Sequence, residues 1–147
     1  LEKGNREFVT HTGSYRGKRV TVLSTGIGTD NIDIVLNELD ALVNLDLEQR
    51  IPLSRKKSLN LIRIGTCGAL HEDIAPGGQI ITRVAGGFDG LYHFYQDPDE
   101  HNQSLLSKSF MEHRGWMLCP AEPYFIKSSE KLHSLLSGPN VLSGIKR

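Results

Sequence analysis

Arg63 and Thr66 stand three residues apart at the end of an apolar run, in the stretch Leu-Asn-Leu-Ile-Arg-Ile-Gly-Thr-Cys-Gly-Ala-Leu from Leu59 to Leu70. A guanidinium is a planar, permanently charged fork that meets phosphate or carboxylate through two parallel hydrogen bonds. It is costly to bury unless an anion meets it. The Thr66 hydroxyl adds a donor, and Gly65 and Gly68 on either side leave room for a ligand to approach the backbone. These residue types in this order suit a small oxyanion, most simply phosphate. A plainer account also fits: Arg63 salt-bridges an acidic neighbour and the glycines form an ordinary turn. Arg6, ahead of the first β-like segment, reads on its own as a solvated surface arginine.

Other chemistries have weaker claims. Thr25-Gly26-Ile27-Gly28 resembles the opening of a dinucleotide-binding turn, but the third glycine of that pattern would fall on Asn31, and no acidic strand end follows at the usual distance. Asp97-Pro98-Asp99-Glu100-His101 offers oxygen and nitrogen ligands, yet a calcium loop would need glycine where Asn102 stands and glutamate where Lys108 stands. The histidines lack zinc spacing, so no metal is expected. No nucleophile elbow of the G-x-S-x-G kind occurs. Cys67 and Cys119 are too few for a disulfide framework, which points to a reduced, cytoplasmic setting.

The oxyanion residues need a scaffold, and the apolar pattern supplies one. Leu59, Leu61, Ile62 and Ile64 predict a buried parallel strand, with Arg63 and Thr66 at its carboxyl end, where ligands sit in open α/β sheets. Upstream, Glu7 to Thr12 and Lys18 to Ser24 predict a β-hairpin around a turn at Gly13–Gly17. Thr29 or Asp30 is placed to cap a helix whose apolar residues are Ile32, Val35, Leu36, Leu39, Leu42 and Val43, expected to pack on the sheet, with Pro52 as its stop. Downstream come a turn at Pro76-Gly77-Gly78 and a strand from Gln79 to Ala85. The glycine- and aromatic-rich loop Gly86–Tyr95 either packs over a pocket or interface or tucks its rings into the core. Helices are predicted from Glu100 to His113 and from Ser128 to Leu136, with Ser128 or Ser129 as cap, and a strand begins at Val141. The pattern is α/β with a mixed or mostly parallel sheet.

The 147 residues are one domain's worth, and 17 basic side chains balance 17 acidic ones. Without a basic excess there is no electrostatic footprint for nucleic acid or an anionic membrane. No apolar run approaches the length of a membrane span. The chain starts at Leu1 and stops soon after the apolar Val141–Ile145, which reads as a fragment cut at both ends.

Taken together, three blocks resemble the nucleoside phosphorylases of the trimeric and hexameric type, and within them the uridine phosphorylases. They are Asn5-Arg6-Glu7-Phe8, then Ser24-Thr25-Gly26-Ile27-Gly28 ahead of a helix carrying Glu38-Leu39, then Ile62 to Leu70. The likeness runs from about Arg6 to Val84. It implies a three-layer αβα fold with a central mixed sheet, here a single incomplete domain spanning residues 1–147. It implies that Arg63 and Thr66 hold phosphate and act in catalysis, that Arg6 reaches across a dimer interface to a partner's phosphate, and that Thr66, Cys67 and Gly68 lie beside the nucleoside. Uridine phosphorylases often have Thr where this chain has Cys67, and purine phosphorylases often have Ser-Cys-Gly there, so the base stays open. The implied reaction is phosphorolysis of a nucleoside by a homodimer unit within a homohexamer. Inorganic phosphate is the co-substrate and no cofactor is needed. The family's Gly-Asp-Pro-x-Arg phosphate loop would precede Leu1, and its base- and ribose-binding segments would follow Arg147. A nucleosidase of the same fold would have no use for two phosphate-binding arginines. A non-catalytic phosphate- or nucleoside-binding module is the reading from outside enzymology.

Overall fold

The computed structural model describes residues 1–5, 8–95, 101–116, 118, 121–137 and 141–143. The chain divides into two compact units, Leu1–Ile64 and Gly65–Arg147.

In the first unit, strands β1 (Glu2–Asn5), β2 (Phe8–Tyr15) and β3 (Lys18–Leu23) form an antiparallel sheet in that order. The predicted hairpin is present and longer than expected. Tyr15 pairs with Lys18, so only Arg16 and Gly17 make the turn. Both have positive φ, at 48° and 77°, the combination of a type I′ turn whose twist matches the strands it joins. Along the start of β2 half-buried Phe8, Thr10 and Thr12 alternate with exposed Val9 and His11, as one covered sheet face requires.

Helix α1 runs Thr29–Asn44. Its N-cap is Gly28, without a side-chain cap, so Thr29 opens the helix rather than capping it. Gly28 sits at φ 104°, a conformation side-chain-bearing residues rarely adopt, which accounts for a glycine there. The apolar stripe is only partly covered. Ile32, Val35, Leu39 and Val43 turn inward along one line, with Val35 buried, whereas Leu36 and Leu42 face solvent. The helix ends eight residues before Pro52, because the chain turns at Leu45 into a small antiparallel ladder, β4 (Leu45–Asp46) with β5 (Ile51–Pro52). Asp46 closes the turn between them: its side chain accepts from the Glu48 and Gln49 N–H groups at 3.0 and 2.9 Å.

The run Leu59–Ile64, predicted as a buried parallel strand, is irregular and exposed instead; Ile62 is 55% and Ile64 92% accessible. A parallel strand needs ladder partners and cover on both faces. Among the described residues no strand pairs with this run, and β3 bonds only to β2.

The second unit carries β6 (Gln79–Ile81), β7 (Val84–Gly87), a 3₁₀ turn at Leu91–Phe94, α2 (Ser104–Arg114), β8 (Tyr124–Lys127), α3 (Glu130–Leu136) and β9 (Val141–Ser143). The single strand predicted from Gln79 to Ala85 is thus two. They take different partners: β6 pairs with β9 in parallel and β7 with β8 antiparallel. Ladders of both senses give the mixed α/β character expected, distributed among the described residues over four short sheets. Ser129 caps α3, accepting from the Leu132 N–H at 3.3 Å. His133 of α3 is buried, and its Nε2 has no hydrogen-bond partner among the described residues.

An aromatic group holds β7, β8 and α2 together. Phe110 packs against Phe88, Phe125 and Trp116 with ring centroids 5.2, 6.0 and 5.7 Å apart. Aromatic pairs at such separations add about 0.5–1.5 kcal/mol beyond their buried area. The loop expectation therefore divides: Phe88 and Tyr92 join packed rings, while Phe94 is 89% exposed.

Candidate functional site

Arg63 lies near the end of the first unit, and Thr66, Cys67 and Gly68 lie at the start of the second. All four are exposed. Arg63 makes no hydrogen bond or ion pair among the described residues, so the plainer account of a salt-bridging arginine finds no partner there. Cys67 is a free, exposed thiol. A Cβ added at Gly68 would meet nothing within 4 Å, so the backbone there is open to approach. Arg6, the other predicted phosphate ligand, lies outside the described residues, as do Asp97 to Glu100 and Cys119.

A second polar group, in the second unit, was visible in the sequence only as an aromatic-rich loop. Asp89, in the turn after β7, accepts from the Tyr124 hydroxyl at 2.9 Å on Oδ1 and 3.1 Å on Oδ2, and from the Leu91 N–H at 2.8 Å. Tyr92 stacks on Tyr124 with centroids 5.0 Å apart. Nε2 of His93 lies 2.8 Å from the Glu122 carbonyl oxygen. A carbonyl only accepts, so Nε2 carries a proton in that contact. Burial pushes the Tyr124 phenol up to about 12, and its hydrogen bond and charge contact with Asp89 add to the effect. The group thus presents a neutral phenol clamped to a carboxylate, a device that fixes the loop rather than one that transfers protons. No signal in the sequence pairs Asp89 with Tyr124, because they are 35 positions apart and meet only through the β7–β8 register.

The family model of the phosphorylase superfamily matches residues 1–140. The chain belongs to the phosphorylase superfamily. Among curated members, the DeoD-type purine nucleoside phosphorylase of Brevibacillus brevis is 40% identical over 80 residues, 54% of this chain and 28% of that protein. The enzyme of the same description from Bacillus thuringiensis is 38% identical over the same shares. The crystal structure of a Trypanosoma brucei nucleoside phosphorylase, described as showing uridine phosphorylase activity, superposes with a TM-score of 0.74 at 24% identity. That match covers 97% of this chain and 52% of the trypanosomal one, so the fold is that of the nucleoside phosphorylases. This phosphorylase-superfamily chain spans about half the length of the trypanosomal structure, and its alignments reach under a third of the curated relatives. Among the described residues no helix is long and apolar enough to cross a membrane.

Proposed function

We propose that the protein is a nucleoside phosphorylase, which uses inorganic phosphate to cleave the N-glycosidic bond of a nucleoside and needs no other cofactor. The observation that carries this reading is Arg63: exposed, without a partner among the described residues, and three residues before the exposed Thr66 in a chain of the phosphorylase superfamily. A phosphate oxygen attacks the anomeric carbon, the carbon–nitrogen bond breaks, and its electron pair leaves with the base. The sugar passes through oxocarbenium character, as in glycoside hydrolysis. Arg63 and Thr66 hold the phosphate so that attack is oriented and its charge is matched, and Thr66, Cys67 and Gly68 flank the nucleoside. Arg6 supplies a second guanidinium across the interface of a homodimer unit within a homohexamer, in the cytoplasm. The chemistry requires no protein nucleophile.

Uridine is the substrate favoured by the joint resemblance of the three sequence blocks to the uridine phosphorylases and by the activity described for the trypanosomal protein, while Cys67 within the Ile62–Leu70 block leaves the base open. A purine nucleoside is the second reading, favoured by the DeoD-type purine phosphorylases aligned at up to 40% identity. Calorimetry of the 147-residue chain with phosphate, alongside a phosphorolysis assay with uridine and inosine, tests both. Losing a charge-assisted bidentate contact of about 1.5–3 kcal/mol predicts that Arg63→Ala weakens phosphate binding by at least about tenfold. A folded chain that binds no phosphate, or binds it equally with Arg63→Ala, refutes the reading. Release of uracil or hypoxanthine decides the base.

A further inference from the structure

Asn44, the last residue of α1, is one of the few buried polar side chains, at 6% exposure. Its carboxamide is almost fully committed. Oδ1 accepts the Lys57 N–H at 2.7 Å, and Nδ2 donates to the Lys57 carbonyl at 3.1 Å and to Asp40 Oδ1 at 2.7 Å. Bonding both the N–H and the C=O of one residue reproduces a rung of a β-ladder with a side chain in place of the second strand. A carboxamide carries on adjacent atoms the acceptor and the two N–H donors that these three bonds use. The Asn44 backbone adds a further tie, its carbonyl accepting the Leu53 N–H at 2.8 Å. The excursion from Leu45 to Lys57 is thereby closed back onto the end of the helix.

What lies beyond the clasp gives it a consequence. Residues 58–64 are irregular, and among the described residues no hydrogen bond or ion pair holds them. Lys57 is therefore the last tied-down residue before Arg63, six positions on. Six residues of extended chain span at most about 22 Å, which bounds where the Arg63 backbone can go and so where its side chain can start. Without the clasp the nearest tie is at Leu53, and the free tether grows from six residues to ten.

We infer that Asn44 is a positioning residue for phosphate binding: by clasping the Lys57 backbone it sets where the Arg63-bearing segment starts and how far Arg63 ranges. This rests on Arg63 being a phosphate ligand, as proposed above. Asp40 takes part by holding the Asn44 amide in the orientation that presents Oδ1 to the Lys57 N–H.

The test is phosphate calorimetry on the 147-residue chain, for the unsubstituted protein, Asn44→Ala and Arg63→Ala, each shown to be folded by circular dichroism. Loop-closure entropy for the longer tether predicts a loss of about twofold in phosphate affinity with Asn44→Ala. Amide exchange is read in parallel: exchange at Lys57 quickens while that at Leu53, bonded to the Asn44 backbone, does not. Asn44→Asp behaves like the alanine variant, because it loses both donors and faces Asp40 with like charge. Adding Asp40→Asn to it restores the tie between positions 40 and 44 and returns much of the affinity; this pair decides the matter if Asn44→Ala does not fold. A purely structural asparagine would change the melting temperature and leave the folded protein's phosphate affinity alone. Unchanged affinity in a folded Asn44 variant, with binding lost in Arg63→Ala, overturns this inference alone. Unchanged affinity in Arg63→Ala overturns it together with the phosphorylase reading.

Discussion

Gly87→Ala should be among the most damaging single-methyl changes in the second unit. Gly87 lies opposite Tyr124 in the β7–β8 ladder, and the tyrosine ring folds over its backbone. A Cβ built at Gly87 would sit inside van der Waals contact with Tyr124 Cζ and Oη and 2.5 Å from Cε2, where no real Cβ can remain. The ring must leave. Its departure breaks the hydroxyl–carboxylate bond to Asp89, of the class that contributes about 1.5–3 kcal/mol. It also undoes the Tyr92 stack, which contributes about 0.5–1.5 kcal/mol. The expected loss is thus about 2–4 kcal/mol, a large share of the roughly 5–15 kcal/mol that holds a typical domain. The chain has a single tryptophan, Trp116, packed on Phe110 in this unit, so its fluorescence in urea reports the right transition. The midpoint should fall with an unchanged slope. Gly68→Ala is the control: it lies in the same unit, a Cβ there meets nothing within 4 Å, and its effect should be neutral or a gain of up to about 1 kcal/mol. If Gly87→Ala costs no more than about 0.5 kcal/mol, the placement of Tyr124 over the glycine is wrong, and with it the account of how the loop after β7 is held.

Two further outcomes follow from the same unit. The folded Tyr124 phenol ionises near 12 against 10 for a free tyrosine, so the folded state keeps its proton longer than the unfolded one. The contribution of that contact to stability is fully present below pH 10 and is lost as pH rises through about 12; Tyr124→Phe should lower stability at neutral pH and remove this late step from an ultraviolet titration. Ser129→Ala removes the side-chain cap of α3 and should cost about 1 kcal/mol, read as a lower urea midpoint together with reduced helical circular dichroism.

The elements legible in the sequence were those whose signals are local. The β2–β3 hairpin, α1, the Ser129 cap and the strand at Val141 follow from period-2 and period-3.6 patterns and from capping chemistry, which act within a few residues of chain. Arg63 and Thr66 stand out the same way, as residue types at the end of an apolar run, whereas the nucleoside-binding roles of Cys67 and Gly68 are implied only by the family resemblance; the structure leaves all four exposed. Their supporting strand does not form. Leu59 to Ile64 is apolar enough for a buried strand, but a strand exists only where another strand bonds it, and pattern alone names no partner.

The sequence by itself determined the family, through blocks of residues whose order and spacing are a property of the chain and not of its folding. It also determined the chemistry on offer, because a guanidinium and a hydroxyl carry the same donors wherever they are placed. Tertiary structure decided what those groups touch. It split one predicted strand into β6 and β7 by giving them different partners, and it brought Tyr124 onto Asp89 across 35 positions. It turned Asn44, a helix-terminal residue with nothing to mark it, into a clasp on Lys57 thirteen positions away. Such contacts depend on register and loop closure, which set distances through space that no local pattern encodes.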